Sequence, residues 1–119
     1  MVLRARLPFV VALDRGRIVG WCDIVPRDME GFRHTGDLGI GLLPEARGQG
    51  IGARLLEAAI GRARRRGIEK IELQVYASNR RARAVFRRHG FRVEGRRRRG
   101  RKLDGRYDDL ILMALFTGD

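Results

Sequence analysis

The sequence predicts an α/β (α+β) fold: a mixed, mostly antiparallel central sheet with helices packed on it, in the order β-β-β-α-β-α-β-β. Three observations predict it. Alternating apolar and polar residues flank tight-turn signals near both ends of the chain. Two segments between them carry apolar residues at helical spacing. A glycine-rich run, Arg47-Gly48-Gln49-Gly50-Ile51-Gly52, joins a strand to the first of those helices.

Each element has a local cause. Residues 1–13 are broken by Arg4, Arg6 and Pro8 and read as strand rather than as a secretion signal. Residues 9–13 and 18–24 form two strands around Asp14-Arg15-Gly16-Arg17. Residues 26–35 are polar and irregular, a loop. Residues 37–43 form the third strand, which Pro44 cannot extend. From 50 to 66 a helix sets Ile51, Leu55, Leu56, Ala59, Ile60 and Ala63 on one face, with Arg54, Glu57, Arg62, Arg64 and Arg65 opposite; Gly67 stops it. Ile71, Leu73 and Val75 alternate with Glu72, Gln74 and Tyr76 in a half-buried strand. Asn79 caps a second helix over 80–89, whose inner face is Ala82, Val85, Phe86 and His89, and Gly90 ends it. Residues 91–99 and 107–116 make a closing hairpin around Lys102-Leu103-Asp104-Gly105. Trp21 and Cys22 both read as core.

Composition narrows the function. The 119 residues predict one domain, 1–119, and a 44% hydrophobic share is that of an ordinary globular chain. One cysteine gives neither a disulfide framework nor a thiolate zinc site, and His34 and His89 stand too far apart in sequence to suggest a metal. No apolar run is long enough to span a bilayer, so a soluble cytoplasmic protein with no membrane partner is the simplest expectation. The net charge of +12 is uneven: residues 80–102 hold twelve Lys and Arg against one acid, Glu94. Such a block is either a solvated face or a surface for a polyanion: a phosphate ligand, an acidic protein or nucleic acid. Aromatic residues for stacking on bases are scarce within it, which ranks nucleic acid last.

A strand that feeds a glycine turn opening a helix is built for phosphate. The first-turn N–H groups lack intrahelical acceptors, the helix dipole favours an anion there, and glycines let the backbone approach it. A Walker-type loop would need Lys-Ser/Thr where Ala53-Arg54 stands. A dinucleotide turn would need an acid at the end of the next strand, which is Val75-Tyr76.

Arg47-x-x-Gly50-x-Gly52 after a strand resembles the acetyl-CoA pyrophosphate turn of the GNAT superfamily of N-acetyltransferases. Asn79-x-x-Ala82-x-x-x-x-Arg87-x-x-Gly90-Phe91 resembles that family's second helix, and Asp104-Gly105-x-Tyr107-x-Asp109-x-x-x-Met113 its terminal hairpin. The resemblance implies acetyl transfer from acetyl-CoA to a primary amine of a small molecule or a protein N-terminus, by direct attack and without a metal. It implies that Ile40, Gly41 and Leu42 bond the pantetheine arm through their backbone. Arg47, Gly48, Gln49, Gly50, Ile51, Gly52 and Ala53 would cradle the pyrophosphate, and Asn79 would face the pantetheine and sulfur. Phe86 stands where relatives carry a tyrosine, within the cofactor-binding helix. Arginines at the start of that helix, or Arg87 and Arg88, are placed to reach the adenosine phosphate.

For the chemistry, the Leu42 N–H is the implied oxyanion donor and Asp37 the candidate base, acting through water. Asp37 equally fits a structural carboxylate paired with an arginine. With Phe86 unable to donate a proton and Gln74 where several relatives carry glutamate, Tyr76 and Tyr107 are the substitute candidate acids. Two rival readings remain: an acyl-CoA-binding module without efficient catalysis, and a basic nucleic-acid-binding domain. Family members begin with a strand and two helices that wall the acceptor site, and only residues 1–8 precede the first hairpin here. Either the chain is a truncated form, or a partner subunit or the 26–35 loop supplies that wall, and exposed sheet surface should favour a homodimer or larger species.

Overall fold

The structure, a computed structural model, describes residues 1–6 and 9–118. Seven strands form one sheet: β1 (Val2–Arg6), β2 (Phe9–Asp14), β3 (Arg17–Pro26), β4 (Thr35–Leu42), β5 (Lys70–Tyr76), β6 (Arg92–Leu103) and β7 (Arg106–Phe116). Their spatial order is β1-β2-β3-β4-β5-β7-β6, and only the β4–β5 pair is parallel. A 3-10 turn, Pro44–Ala46, precedes α1 (Ile51–Arg65), and α2 (Arg80–Arg88) links β5 to β6.

The expected order lacks one strand. The chain does not run as a single strand into the first hairpin; Val2–Arg6 is a separate element paired antiparallel with β2. Five residues carrying two arginines show no clear period of their own, and long-range pairing with β2 decides their conformation. The proline interruption at Pro8 lies outside the described residues. The hairpins themselves match their turn chemistry: Arg15 and Gly16, then Asp104 and Gly105, all take the positive φ of a two-residue turn that follows strand twist.

Both helices pack on one face. The buried faces of α1 (Ile51, Leu55, Leu56, Ala59, Ile60, Ala63) and α2 (Phe86) share one core with Val10, Cys22, Ile24, Ile71, Leu73, Ile111 and Met113. His89 ties the helices together: its Nδ1–H donates to the Val85 carbonyl (2.8 Å) and its Nε2 lies 3.2 Å from Glu57. No helix among the described residues covers the opposite face, and the smallest dimension, 24 Å, is that of one sheet plus one helical layer.

That one-sidedness corrects the expectation for Trp21. Neighbouring residues on a strand point to opposite faces, so Trp21 and Cys22 cannot share a core that exists on one face only. Cys22 is fully buried beneath α1, where burial, with a smaller contribution from Asp23, pushes its thiol up to about 12 and leaves it unreactive. Trp21 lies 38% exposed on the uncovered face.

Candidate active site

The sheet splits at its parallel pair. Strands β4 and β5 pair only at Thr35↔Lys70, Gly36↔Ile71 and Asp37↔Glu72. Beyond Asp37, β4 continues to pair with β3, and β5 continues to pair with β7, so the two diverge. A wedge opens between them with its vertex at Asp37 and Glu72.

Backbone alternation decides which groups face the wedge. The Leu43 N–H donates to the Val19 carbonyl, and the Thr35 carbonyl accepts from Arg27 N–H, so odd-numbered residues of β4 turn their polar groups toward β3. Leu38, Ile40 and Leu42 therefore direct N–H and C=O into the wedge. Gly41, also a candidate backbone partner of the pantetheine, turns its N–H and C=O toward β3 instead.

At the open end of β4 stands the glycine turn. Gly48 (φ 78°) and Gly50 (φ 75°) adopt left-handed conformations, and Gly50 is the N-cap of α1 without any side-chain cap hydrogen bond. No atom lies within 4 Å of a Cβ built on Gly50 or Gly52, so the space ahead of the helix is open. The N–H groups of Ile51, Gly52 and Ala53 head into that space, while Arg54 N–H begins the helical ladder on the Gly50 carbonyl. Gln49 braces the turn by donating from Nε2 to the Glu45 carbonyl (3.1 Å), and Arg47 N–H donates to the Pro44 carbonyl (3.2 Å).

Helix α2 faces this turn through its N-terminus. Asn79 caps it, Oδ1 accepting from Ala82 N–H at 3.1 Å, which leaves the amide NH2 as its donor group. A guanidinium nitrogen of Arg81 would lie 3.6 Å from a Cβ on Gly48, and no other residue of α2 is recorded so near that turn. Sequence reasoning placed arginines at this helix start without singling out Arg81; a through-space contact is what distinguishes it. Arg87 and Arg88 sit in the last turn of α2, at the opposite end of the helix from Asn79 and Arg81. Phe86 is 6% exposed and edge-on to Phe91 with centroids 5.8 Å apart, so it holds α2 on the sheet from beneath.

At the vertex, Arg27 bonds both Asp37 and Glu72, and also donates to the Thr35 hydroxyl at 2.7 Å. Burial works to raise Glu72, but the Arg27 hydrogen bond and the charges of Arg27 and Lys70 outweigh it and hold the carboxyl below its usual range. Arg27 lies in the stretch read as an irregular loop; its partners, up to 45 positions away, gave no sequence signal.

The two tyrosines part company. Tyr76 is on the uncovered face at the end of β5, with the Arg101 guanidinium 3.8 Å above its ring. Tyr107 is paired with Lys102 near the tip of the β6–β7 hairpin and, by alternation from Leu110, on the other face. Parts of the arginine block are internally paired: Arg96 with Asp109 (2.6 Å) and Arg101 with Asp108 (3.3 Å).

A split sheet with a bare glycine turn at one end and carboxylates at its vertex offers an elongated, phosphate-bearing ligand a place between the strands. The chain belongs to the acetyltransferase (GNAT) family, whose model matches residues 2–91. It is 32% identical over 114 residues to the L-methionine sulfoximine/L-methionine sulfone acetyltransferase of Pseudomonas aeruginosa, covering 94% of this chain and 66% of that enzyme. Among solved structures it is similar to the ribosomal-protein-alanine N-acetyltransferase of Brucella melitensis (TM-score 0.84, 34% identity, 91% of this chain and 67% of that one). It is also similar to a phosphinothricin acetyltransferase of Sinorhizobium meliloti in complex with AcCoA (TM-score 0.87, 31% identity, 92% and 60%). The chain thus spans 60–67% of the length of these three relatives.

If the turn is the phosphate cradle, Arg81 is its cationic partner. Arg81→Ala is expected to weaken CoA binding five- to tenfold, about 1–1.4 kcal/mol, and Arg88→Ala less than twofold, as read by calorimetric titration. Equal losses in the two variants would show that the contribution is a diffuse field.

Proposed function

We propose that this chain transfers the acetyl group of acetyl-CoA to a primary amine. The observation that carries the reading is the β4–β5 wedge, entered from the glycine turn and closed by Asp37 and Glu72. The pantetheine arm lies along the polar edge of β4 at Ile40 and Leu42, and the pyrophosphate over Arg47 to Ala53, with Asn79 facing the sulfur. The amine enters from the uncovered face. Its nitrogen attacks the thioester carbonyl carbon, the Leu42 N–H holds the developing oxyanion, the C–S bond breaks, and the thiolate leaves. Asp37 takes the amine proton through water, and Tyr76 rather than Tyr107 stands on the acceptor side to return one to sulfur.

Similarity to enzymes named for methionine sulfoximine, phosphinothricin and ribosomal-protein alanine favours an acceptor that is an amino acid or a protein N-terminus. The test is thiol release with acetyl-CoA and a panel of L-methionine sulfone and an alanine-terminal peptide. Asp37→Asn is expected to lower kcat at least a hundredfold with acetyl-CoA affinity unchanged. An unchanged kcat would assign Asp37 to the Arg27 ion pair alone, the feature that favours the second reading, an acyl-CoA-binding module without turnover. Nucleic-acid binding ranks behind both, since part of the arginine block is paired with Asp108 and Asp109.

The uncovered face also supports a homodimer. Phe9, Trp21, Val25 and Phe116 are 38–64% exposed there, a contiguous-face arrangement that association would bury. A second copy would then wall the acceptor side. A dimer mass in light scattering at micromolar concentration is expected; a monomer mass overturns it. No helix is long and apolar enough to cross a membrane among the described residues; a cytoplasmic location is part of the same reading.

A further inference from the structure

Trp21 stands opposite Gly41 on the uncovered face. A Cβ on Gly41 would come within 2.4 Å of its Nε1 and 2.7 Å of its Cε2, and a Cβ on Gly39 within 3.3 Å of its outer ring carbons. The indole therefore lies flat across both glycines, and any side chain at either position would lift it. Phe9 packs edge-on against it, centroids 5.8 Å apart at 80°, which fixes the ring's inner edge and leaves the other toward the wedge.

The register sets what faces it. Asp37 is level with Glu72, and four residues further along each strand come Gly41 and Tyr76. By then the strands have parted, so the Trp21 indole and the Tyr76 ring stand level on opposite banks of the wedge. Both are 38% exposed, and the Arg101 guanidinium stacked at 3.8 Å stiffens the Tyr76 ring. Below them, at the vertex, lie Asp37, Glu72 and Arg27.

We infer that Trp21 is a specificity-determining residue: with Tyr76 it forms an aromatic mouth that takes an amine bearing an apolar carbon body, laid against the indole with its nitrogen turned into the wedge beside Leu42. The inference rests on the reading of the wedge as an acetyl-CoA site. The indole face suits an amine on a hydrocarbon body, with the Tyr76 ring, stacked by Arg101, bounding the other bank; a small hydrophilic amine would leave the indole in water.

The chain has one tryptophan, so a 15N-labelled sample shows one indole N–H resonance. The protein is titrated first with acetyl-CoA, then, saturated with CoA, with phenethylamine and separately with ethanolamine. Phenethylamine is expected to shift the indole resonance and bind at least tenfold more tightly than ethanolamine. Trp21→Ala should erase that tenfold preference while acetyl-CoA affinity stays within twofold. Gly41→Ala, which keeps the tryptophan but displaces its ring, should erase it too. The wild-type titration needs no variant to fold. Equal affinity for the two amines, or an indole unmoved at phenethylamine saturation or by the highest concentration used, overturns the inference. Failure to bind acetyl-CoA overturns the reading beneath it, whereas acetyl-CoA binding with an amine-blind indole overturns the inference alone.

Discussion

Gly50→Asp raises the dissociation constant for acetyl-CoA at least a hundredfold, about 2.7 kcal/mol, while Gly50→Asn raises it only a few-fold. Both side chains are among the few that tolerate a left-handed backbone, so each meets the φ of 75° at similar cost. Neither collides with anything, because no atom lies within 4 Å of the added Cβ. What separates them is one negative charge set beside the first-turn N–H groups of α1. Two unit charges about 4 Å apart repel by roughly 4 kcal/mol at an effective dielectric of 20, before salt screening. The pyrophosphate carries more than one. Calorimetry on the three proteins at one salt concentration reads the difference directly. Similar affinities for the Asp and Asn variants would mean that the ligand's phosphates lie elsewhere, and would remove the glycine turn from the site.

The turn was legible because its causes are local. Glycines that must take positive φ, a proline that ends β4, and an apolar stripe on α1 all act within a few residues of one another. The cap of α2 by Asn79 and both hairpin turns were legible for the same reason. What was not legible is set by pairing across distance. Arg27 sits in a stretch that reads as loop, and only the parallel alignment of Asp37 with Glu72 makes it a clamp. Arg81 is one arginine among many until the fold lays it against Gly48. Trp21 illustrates the limit most clearly: its apolarity suggests core, and strand alternation places it on the opposite face from Cys22, but only the location of both helices reveals which face is covered.

The packing of helices on one face also decides which substitution unfolds the protein. Phe91→Ala is expected to destabilise it by about 3–5 kcal/mol. Phe91 is fully buried where the chain leaves α2 and enters β6, and it meets Phe86 edge-on. That pair, with Ala82 and Val85 beside it, fastens a nine-residue helix whose outer surface is mostly arginine. A helix this short is not stable by propensity alone; packing supplies its stability. The loss should lower Tm by more than about 10 °C. Because α2 carries Asn79 at its cap and Arg81 in its first turn, acetyl-CoA affinity should fall with stability in this variant and return when Leu or Met replaces Ala. A Phe91→Ala protein that melts like wild type would show that α2 is held from elsewhere, by the His89–Glu57 contact and its N-terminal turn.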